Sequence, residues 1–384
     1  MLAEGVCELP PEMCAAADGL CARVLGVADM QPPLAFAESH PLPPKQGATE
    51  KYVLRCTGGE EIEMVVMPAP GLDGLWSLCI SSQVGCRMGC AFCETGRMGL
   101  LRSLTTSEIV SQVALAASTL GLRIGNVIFM GMGEPLDNVR SVVQAIRVLT
   151  DPHGLNVPRS HVTISTSGEA QHVPSLLDAL PAVRLAFSLH AANDALRSEL
   201  MPINRRVRLS ELASAMTAYL QRTKRRVTIQ YILLAGVNDS VVHADELSDF
   251  LATVGPANRL HINLIPYNPQ SGIPKFAAPT HASCKAFKTA LQQKGLFTKI
   301  RVEKGAEKMA ACGQLGNVRL RRELNAKRFA EDEAAAEDRS EEASAVGAAA
   351  ARVRPESLAL EGTPRQRTST AAVRPLCGQK ELEW

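Results

Sequence analysis

The sequence predicts an α/β fold: a (β/α)6 partial barrel with a small N-terminal β extension and a disordered C-terminal tail. Three observations predict it. Apolar runs of strand length recur near residues 75–81, 125–130, 161–166, 183–189, 227–234 and 259–265. Helix-period segments fall between them, which argues a parallel sheet with right-handed crossovers. A chain of 384 residues, 46 % of them hydrophobic, can bury one large core with appendages. Six units fall short of a closed eight-stranded barrel; a doubly wound open sheet shares the pattern and stays open as an alternative.

In chain order, residues 1–50 read as a short segment and linker. Cys7, Cys14 and Cys21 recur on one face of a possible helix, and Pro32-Pro33 and Pro41-Leu42-Pro43-Pro44 mark the linker. Residues 51–325 form the main core. It opens on two strands, Tyr52 to Cys56 and Ile62 to Met67, turning at Gly58-Gly59. Thr105-Thr106-Ser107-Glu108 is a capping box that starts a helix running to about Leu120. Further helices are expected near 138–149, 209–222, 240–254 and 281–294. Residues 326–384 are rich in Ala, Glu, Ser, Arg and Pro and nearly lack aromatics, so they cannot bury enough surface to fold alone. Cys377 lies there without an expected catalytic role.

Composition narrows the function classes. No apolar run approaches the roughly 20 residues of a membrane span, and the N-terminus lacks the basic-then-apolar pattern of a signal peptide. Eleven cysteines in so long a chain are no disulfide scaffold. A reduced, cytoplasmic compartment is expected. Residues 331–384 carry 7 basic and 11 acidic side chains, leaving 34 and 28 in the body before them. The basic excess clusters in Asn204-Arg205-Arg206-Val207-Arg208, Arg222-Thr223-Lys224-Arg225-Arg226 and Arg319-Leu320-Arg321-Arg322. Such runs can neutralise phosphates, although any one of them is more often a solvated surface.

Cys86, Cys90 and Cys93 stand at CxxxCxxC spacing after the first strand of the alternating series. A [4Fe–4S] cluster takes four thiolates; three leave one iron open to a ligand such as S-adenosylmethionine (SAM), the arrangement of an enzyme that makes radicals from SAM. The alternatives are a zinc site, for which no second ligand pair follows, and three buried thiols. The ends of the expected strands, where βα barrels gather their sites, carry polar groups. These are Met130-Gly131-Met132-Gly133-Glu134-Pro135, Ser165-Thr166-Ser167-Gly168, Ser188-Leu189-His190 with Asn193, and Pro266-Tyr267-Asn268-Pro269. Glycines there admit a ligand to the backbone, Glu134 could meet the SAM amino group, and small hydroxyls and amides suit ribose and carboxylate. Cys79 lies on the strand leading to the cluster, where a buried small hydrophobe is the plainer reading. Cys312 sits in Ala310-Ala311-Cys312-Gly313-Gln314-Leu315, a Gly-containing loop where packing explains it less well.

Together these motifs resemble the radical-SAM adenine methyltransferases of ribosomal RNA, the RlmN/Cfr group. The likeness runs from about residue 50 to 325 and includes Leu78 to Cys86, the cysteine trio, Leu104-Thr105-Thr106, Gly131 to Pro135, Ser165 to Gly168, Ser188 to Ala191, Met201-Pro202-Ile203-Asn204, Ile265 to Pro269 and Ala311 to Leu315. The resemblance implies that Cys86, Cys90 and Cys93 hold one [4Fe–4S] cluster. It implies that Gly133, Glu134, Ser165, Ser188, Leu189, His190 and Asn268 hold SAM. Two SAM molecules would serve each turnover, one methylating Cys312 and one supplying a 5′-deoxyadenosyl radical. Cys312 would carry the carbon to adenine, Cys79 would release the product by forming a disulfide, and Glu63 would accept the proton. The implied partners are ribosomal and possibly transfer RNA and a flavodoxin- or ferredoxin-type electron donor, with no membrane. Carbon 2 of adenine is the default target and carbon 8 the variant. Four features depart from the group: a short Pro-rich N-terminal segment, Glu94 where a small residue is usual, a longer Glu63–Cys79 spacing and a long acidic tail. A radical-SAM enzyme on a non-RNA substrate and a non-catalytic iron–sulfur or RNA-binding relative are the other readings.

Overall fold

The computed structural model describes residues 33–38, 41–45, 47–269, 275–301 and 310–316. All lie in the first of two units into which the chain divides, Met1–Asn325 and Ala326–Trp384. The Cys7/Cys14/Cys21 segment, the 319–322 basic run and the expected disordered tail with Cys377 lie outside the described residues.

Twelve strands are described: β1 Leu34–Phe36, β2 Glu50–Cys56, β3 Glu61–Pro68, β4 Trp76–Cys79, β5 Gln83–Cys86, β6 Gly99–Ser103, β7 Ile124–Phe129, β8 Val162–Thr166, β9 Arg184–Ser188, β10 Val227–Leu233, β11 Leu260–Pro266 and β12 Phe297–Ile300. The helices are α1 Glu94–Met98, α2 Thr106–Ser118, α3 Val139–Leu149, α4 Val173–Ala179, α5 Asp194–Leu200, α6 Leu209–Arg222, α7 Val241–Val254 and α8 His281–Gln293. Ten strands form one sheet in the order β1-β2-β3-β4-β7-β8-β9-β10-β11-β12. The β1 to β4 pairs are antiparallel and every later pair is parallel.

This order decides between the two architectures left open by the sequence. A doubly wound sheet reverses its strand order at a switch point. Here each parallel strand lies beside its predecessor without reversal. Right-handed crossovers then place all connecting helices on one face, and successive helices do pack side by side, α2 on α3, α3 on α4, α4 on α6, α6 on α7 and α7 on α8. The opposite face is covered only by curling of the sheet, which gives the partial barrel. The helices hold by their apolar stripes: α3 buries Val142, Ala145, Ile146 and Leu149, the Val, Ile and Leu side chains each contributing about 1.5–3 kcal/mol.

Three features differ from the expectation. A seventh parallel strand, β12, follows the six; its four residues, Phe297-Thr298-Lys299-Ile300, are too short and too polar for an apolar run. The segment taken for linker contributes β1, which lengthens the N-terminal extension. The first strand of the alternating series ends at Cys79, before the cysteine trio. After Ile80-Ser81-Ser82 the chain starts a separate two-stranded sheet, β5 with β6, and this hairpin carries the cysteines.

Buried polar groups tie that hairpin to the barrel. Gln112 on α2 accepts from Ser81 N–H at 2.8 Å and donates to its carbonyl at 2.9 Å. The Ser81 hydroxyl donates to the Glu63 carbonyl and accepts from Met132 N–H. Gln83 Oε1 accepts from Glu134 N–H at 2.9 Å, and Asn138 Nδ2 donates to the Ser82 and Leu104 carbonyls. The expected capping box is present at Thr105 and Glu108, and Arg102 on β6 bridges Glu108 to Glu60.

The hairpin needs glycine at 85. Gly85 has φ +75°, and a Cβ there would sit 1.9 Å from the Gly99 carbonyl oxygen. Gly85→Ala is expected to lose more than about 2 kcal/mol in urea unfolding, because a left-handed L-residue alone costs roughly 1–2 kcal/mol. Gly59→Ala, at φ +89° with nothing within 4 Å, carries only that backbone cost. Equal losses in the two variants would show that the Gly99 contact is unimportant.

Candidate active site

One cavity opens at the C-terminal ends of β7 to β11 and is closed on one side by the cysteine loop. Cys86 reaches it from the end of β5. Cys90 and Cys93 follow in the turn before α1, where Cys93 N–H donates to the Cys90 carbonyl at 3.1 Å. All three thiols have pKa values raised, first by burial; Cys86 feels Cys90 and Cys93, and Cys90 feels Cys93. Three thiols crowded enough to repel one another as anions suit metal binding, which displaces their protons. Among the described residues no three His, Cys, Asp or Glu side chains meet around one metal-ion position; the trio faces a cavity instead. The donor set fits a [4Fe–4S] cluster with one iron left for a non-protein ligand.

The polar strand ends converge on the same cavity. Gly133 lines it at φ +100°, where a Cβ would come within 2.6 Å of the Gln83 side chain. Glu134 is 3 % exposed, and burial raises its pKa against the pull of its hydrogen bonds. One oxygen accepts from Leu136 N–H at 3.1 Å; the other accepts from Ser167 N–H at 2.8 Å and its hydroxyl at 2.7 Å. No basic side chain pairs with it among the described residues. Ser165 and Ser188 also line the cavity, their hydroxyls 3.4 Å apart.

His190 lines the cavity from a left-handed backbone, φ +62°. Its Nδ1 accepts from Ile232 N–H at 3.0 Å, so a neutral ring carries its proton on Nε2. Burial, then Arg197, holds its pKa down to about 3. Phe92 of the cysteine loop meets the ring edge-on at 4.9 Å. Leu189 is fully buried and acts through its backbone: its N–H donates to the Gln230 carbonyl and its carbonyl accepts from Arg197. Asn193 is the N-cap of α5 and donates to Glu246, so its role is structural.

Cys312 is half-buried and borders two cavities. It lines the first and also a second, mostly apolar one with Met67, Pro68, Pro70, Pro266 and Ala311; the two cavities share Ile265, Arg301 and Cys312. Asn268 lines this second cavity rather than the first, and its Nδ2 lies 3.4 Å from the Cys312 carbonyl oxygen. Arg301, just past β12, stands in both cavities with Nη1 3.8 Å from Cys312 Sγ. Cys79 lies outside the lining of either cavity but near enough to feel Cys312. Burial and then Cys312 raise its pKa to about 12, and Arg301 opposes them. Both are free thiols.

The loop carrying Cys312 is braced within itself and tied to the rest of the fold. Glu94 N–H donates to the Gly313 carbonyl at 2.9 Å, Thr95 donates to the Leu315 carbonyl, Gln314 Oε1 accepts from Ala311 N–H, and Glu63 accepts from Gly316 N–H at 2.8 Å. Glu63 also pairs with Lys51 at 2.9 Å and lines neither cavity. Glu94, the unusual residue after the third cysteine, is accommodated by glycine: a Cβ at Gly316 would come within 2.7 Å of Glu94 Cγ.

Sequence reasoning missed four residues. Arg301 follows the strand that was not read. Ser167 was noted only within its motif. Gln230 is the one polar break between Ile229 and Tyr231 in an otherwise apolar strand end, and it lines the cavity. Arg197 is fully buried although charged. It donates to the carbonyls of Leu189, Ser167 and Ser188 and to Asn204 Oδ1, at 2.7–3.2 Å. Asn204 passes the link on to Asp194 at 2.8 Å. The two described basic runs separate: Arg205, Arg206 and Arg208 lie just before α6, whereas Arg222 to Arg226 lie at its other end.

Comparison with known proteins agrees with this geometry. The radical SAM superfamily matches residues 80–247, which defines the class of fold and site. The chain is similar to a probable dual-specificity RNA methyltransferase RlmN 1 of Protochlamydia amoebophila, 46 % identical over 72 % of this chain and 75 % of that one. It is 41 % identical to the probable RlmN of Symbiobacterium thermophilum over 73 % and 74 % of the two chains. The crystal structure of a radical SAM methyltransferase from Sphaerobacter thermophilus superposes with a TM-score of 0.69 at 38 % identity, covering 80 % of this chain and 86 % of that one. The chain belongs to the RlmN family of radical SAM methyltransferases.

Two outcomes follow from the packing. Arg197→Leu strands several buried acceptors at about 1–3 kcal/mol each and should lose at least about 3 kcal/mol in urea unfolding. Arg222→Leu, which breaks an exposed pair with Asp178, should lose no more than about 1 kcal/mol. Second, with a pKa raised to about 12, Cys79 in the metal-free protein stays protonated from pH 8 to 10. Its alkylation, followed by peptide mass, should be slow and still rise tenfold per pH unit, without levelling near pH 8.5–9 as a free thiol does. A plateau in that range would contradict the burial argument.

Proposed function

We propose that the chain methylates a ring carbon of adenine in RNA, carbon 2 in preference to carbon 8. Ribosomal RNA is the main substrate and transfer RNA a second one. The relatives named above are called dual-specificity RNA methyltransferases, a name that fits an enzyme with two kinds of RNA target. The catalytic unit in this reading is residues 51–325, working in a reduced, cytoplasmic compartment.

The observation that carries the proposal is the place of Cys312: one residue lining both the cavity of the cysteine trio and a second, apolar cavity, with the Cys79 thiol near enough to feel it. The Cys312 sulfur can take up a carbon in one cavity and deliver it in the other. The amidine carbons of adenine are electrophilic, so direct nucleophilic methyl transfer is unsuited to them. When bound, the cluster and SAM would supply a methyl group and a hydrogen-abstracting radical, which requires two SAM molecules per turnover and electrons from a flavodoxin- or ferredoxin-type donor. The chain's own residues do the rest. Cys86, Cys90 and Cys93 hold the cluster. Gly133, Ser165, Ser188 and His190 hold SAM; Leu189, buried behind the cavity lining, fixes the strand end through its backbone; and Glu134, a buried carboxylate without a basic partner among the described residues, receives the SAM amino group. Asn268 acts from the Cys312 side, through the loop backbone. Cys312 Sγ carries the carbon to the base. Cys79 then gives up its proton and attacks that sulfur; a Cys79–Cys312 disulfide forms, the carbon–sulfur bond breaks with its electron pair left on the adenine-bound carbon, that carbon takes up a proton to complete the methyl group, and methylated adenine leaves, the adduct's unpaired electron having returned to the electron-donor system. Glu63 accepts the adenine proton, for which it must first part from Lys51 and Gly316. Reaching the carbon also needs an unstacked nucleotide.

The test uses the full chain with reconstituted cluster, SAM, reductant and ribosomal RNA. Peptide mass should show a methyl group on Cys312, absent in Cys312→Ala. Cys79→Ala should stop turnover and accumulate a covalent protein–RNA adduct. Normal turnover by Cys79→Ala, or an unmodified Cys312 in active enzyme, would remove the mechanism.

A further inference from the structure

We infer that Gln230 is an additional SAM-binding residue, its side-chain carbonyl accepting a hydrogen bond from a ribose hydroxyl. This rests on the reading that the first cavity holds SAM.

Gln230 is 4 % exposed and lines the cavity, yet its Oε1 has no hydrogen-bond partner among the described residues. Leaving a buried carbonyl unpaired costs about 1–3 kcal/mol, and native chains rarely retain such a group without a ligand or water to satisfy it. Its neighbours indicate the ligand group. In the parallel register Gln230 on β10 stands beside Ser188 on β9, and the Ser188 hydroxyl reaches that of Ser165 on β8. Three polar side chains thus form a row across three adjacent strands on the cavity wall.

An amide oxygen only accepts, so its partner must donate. SAM offers donors on its amino group, its ribose and its adenine. The amino group belongs near Glu134, which follows β7. The Glu134 carboxylate is held by Ser167 just past β8, and Gln230 lies two strands further along the sheet, roughly 10 Å at about 4.8 Å each, too far to share that group. The two serine hydroxyls beside it can donate or accept, which matches vicinal ribose hydroxyls. The amide oxygen completes the set by accepting from one of them.

The experiment measures equilibrium binding of SAM, 2′-deoxy-SAM and 3′-deoxy-SAM to the cluster-reconstituted full chain. The wild type and Gln230→Leu, Gln230→Met and Gln230→Glu variants are compared, with folding checked by circular dichroism. Wild type should prefer SAM to one of the two deoxy analogues by about tenfold, the ratio given by roughly 1.4 kcal/mol. Gln230→Leu and Gln230→Met should bind SAM about tenfold more weakly and that analogue as wild type does, erasing the preference. Gln230→Glu, which keeps an acceptor, should retain it. Gln230→Met preserves side-chain length, so it carries the test if Gln230→Leu does not fold. Unchanged SAM affinity in both apolar variants, or an equal loss for SAM and both analogues, overturns the inference; the latter would place the contact on adenine or in packing. Failure of wild type to bind SAM at all would instead overturn the reading of the cavity.

Discussion

The site depends on one buried guanidinium. Arg197 is completely enclosed, and desolvation lowers its pKa only to about 10, so it remains charged at neutral pH. No carboxylate pairs with it among the described residues; Asp194 acts through Asn204. Its hydrogen bonds go instead to carbonyls that end β8 and β9. A planar fork with five donors can hold several acceptors at fixed angles, and here it fixes the strand ends on which Ser167, Ser188 and Leu189 are presented. The Met201 to Asn204 motif, which has no cavity role apart from Met201, makes sense as part of this clamp. The charge also has a second partner. Arg197 and Cys90 attract each other, so the cation that orders the strand ends also favours thiolate at one of the cysteines.

A second constraint organises the opposite wall. The 310–316 loop has no regular structure of its own and is held by groups from distant parts of the chain: Glu63 on β3, Glu94 and Thr95 on α1, and the Pro269 carbonyl, which accepts from Gln314. The sequence positions that look least conventional are therefore coupled. A larger residue at 94 is compatible with a loop that has only hydrogen at 316. Glu63, which the family resemblance casts as a proton acceptor, is tied down as an anchor of the loop that bears Cys312. A buried Cys79 thiol kept protonated is a poor nucleophile, so the nearness of Cys312 does not by itself make the two thiols react. Arg301, which lowers the Cys79 pKa and touches Cys312, is the group placed to change that.

The sequence was legible where periodicity was sustained. The helix expected over 209–222 has those bounds, and 281–294 differs by one residue. It was not legible where elements are short or defined by their partners. β12 is a strand because β11 pairs with it; its own composition does not announce one. The β5–β6 hairpin is specified by a left-handed Gly85 and a network of buried amides, neither of which leaves an apolar pattern. The same division holds at the site. Polar residues that interrupt apolar strands at their ends were visible as candidates, and the structure gathers Gly133, Glu134, Ser165, Ser188 and His190 around one cavity. Arg197 was not visible because a charged residue in a seven-residue helix reads as surface. Asn268 was legible as a strand-end amide, but which side of Cys312 it faces is set by the packing of β11 against the 310–316 loop.

Electrostatics sorts what sequence alone grouped together. The runs 204–208 and 222–226 look equivalent in charge, but they flank the 14 residues of α6, whose rise of 1.5 Å per residue separates them by roughly 20 Å. The first follows α5 and lies on the side of the strand C-termini, where Arg206 pairs with Glu169. The second immediately precedes β10, at the strand N-termini and away from the cavity. Two of its backbone carbonyls, at Thr223 and Arg225, accept from Arg259, and Arg222 pairs with Asp178. Screening over about 10 Å at moderate ionic strength keeps charges at that end from steering a phosphate into the site. Among the described basic runs, the one before α6 therefore lies on the side of the cavities around Cys312, and the run at 222–226 is better understood as the solvated end of a helix.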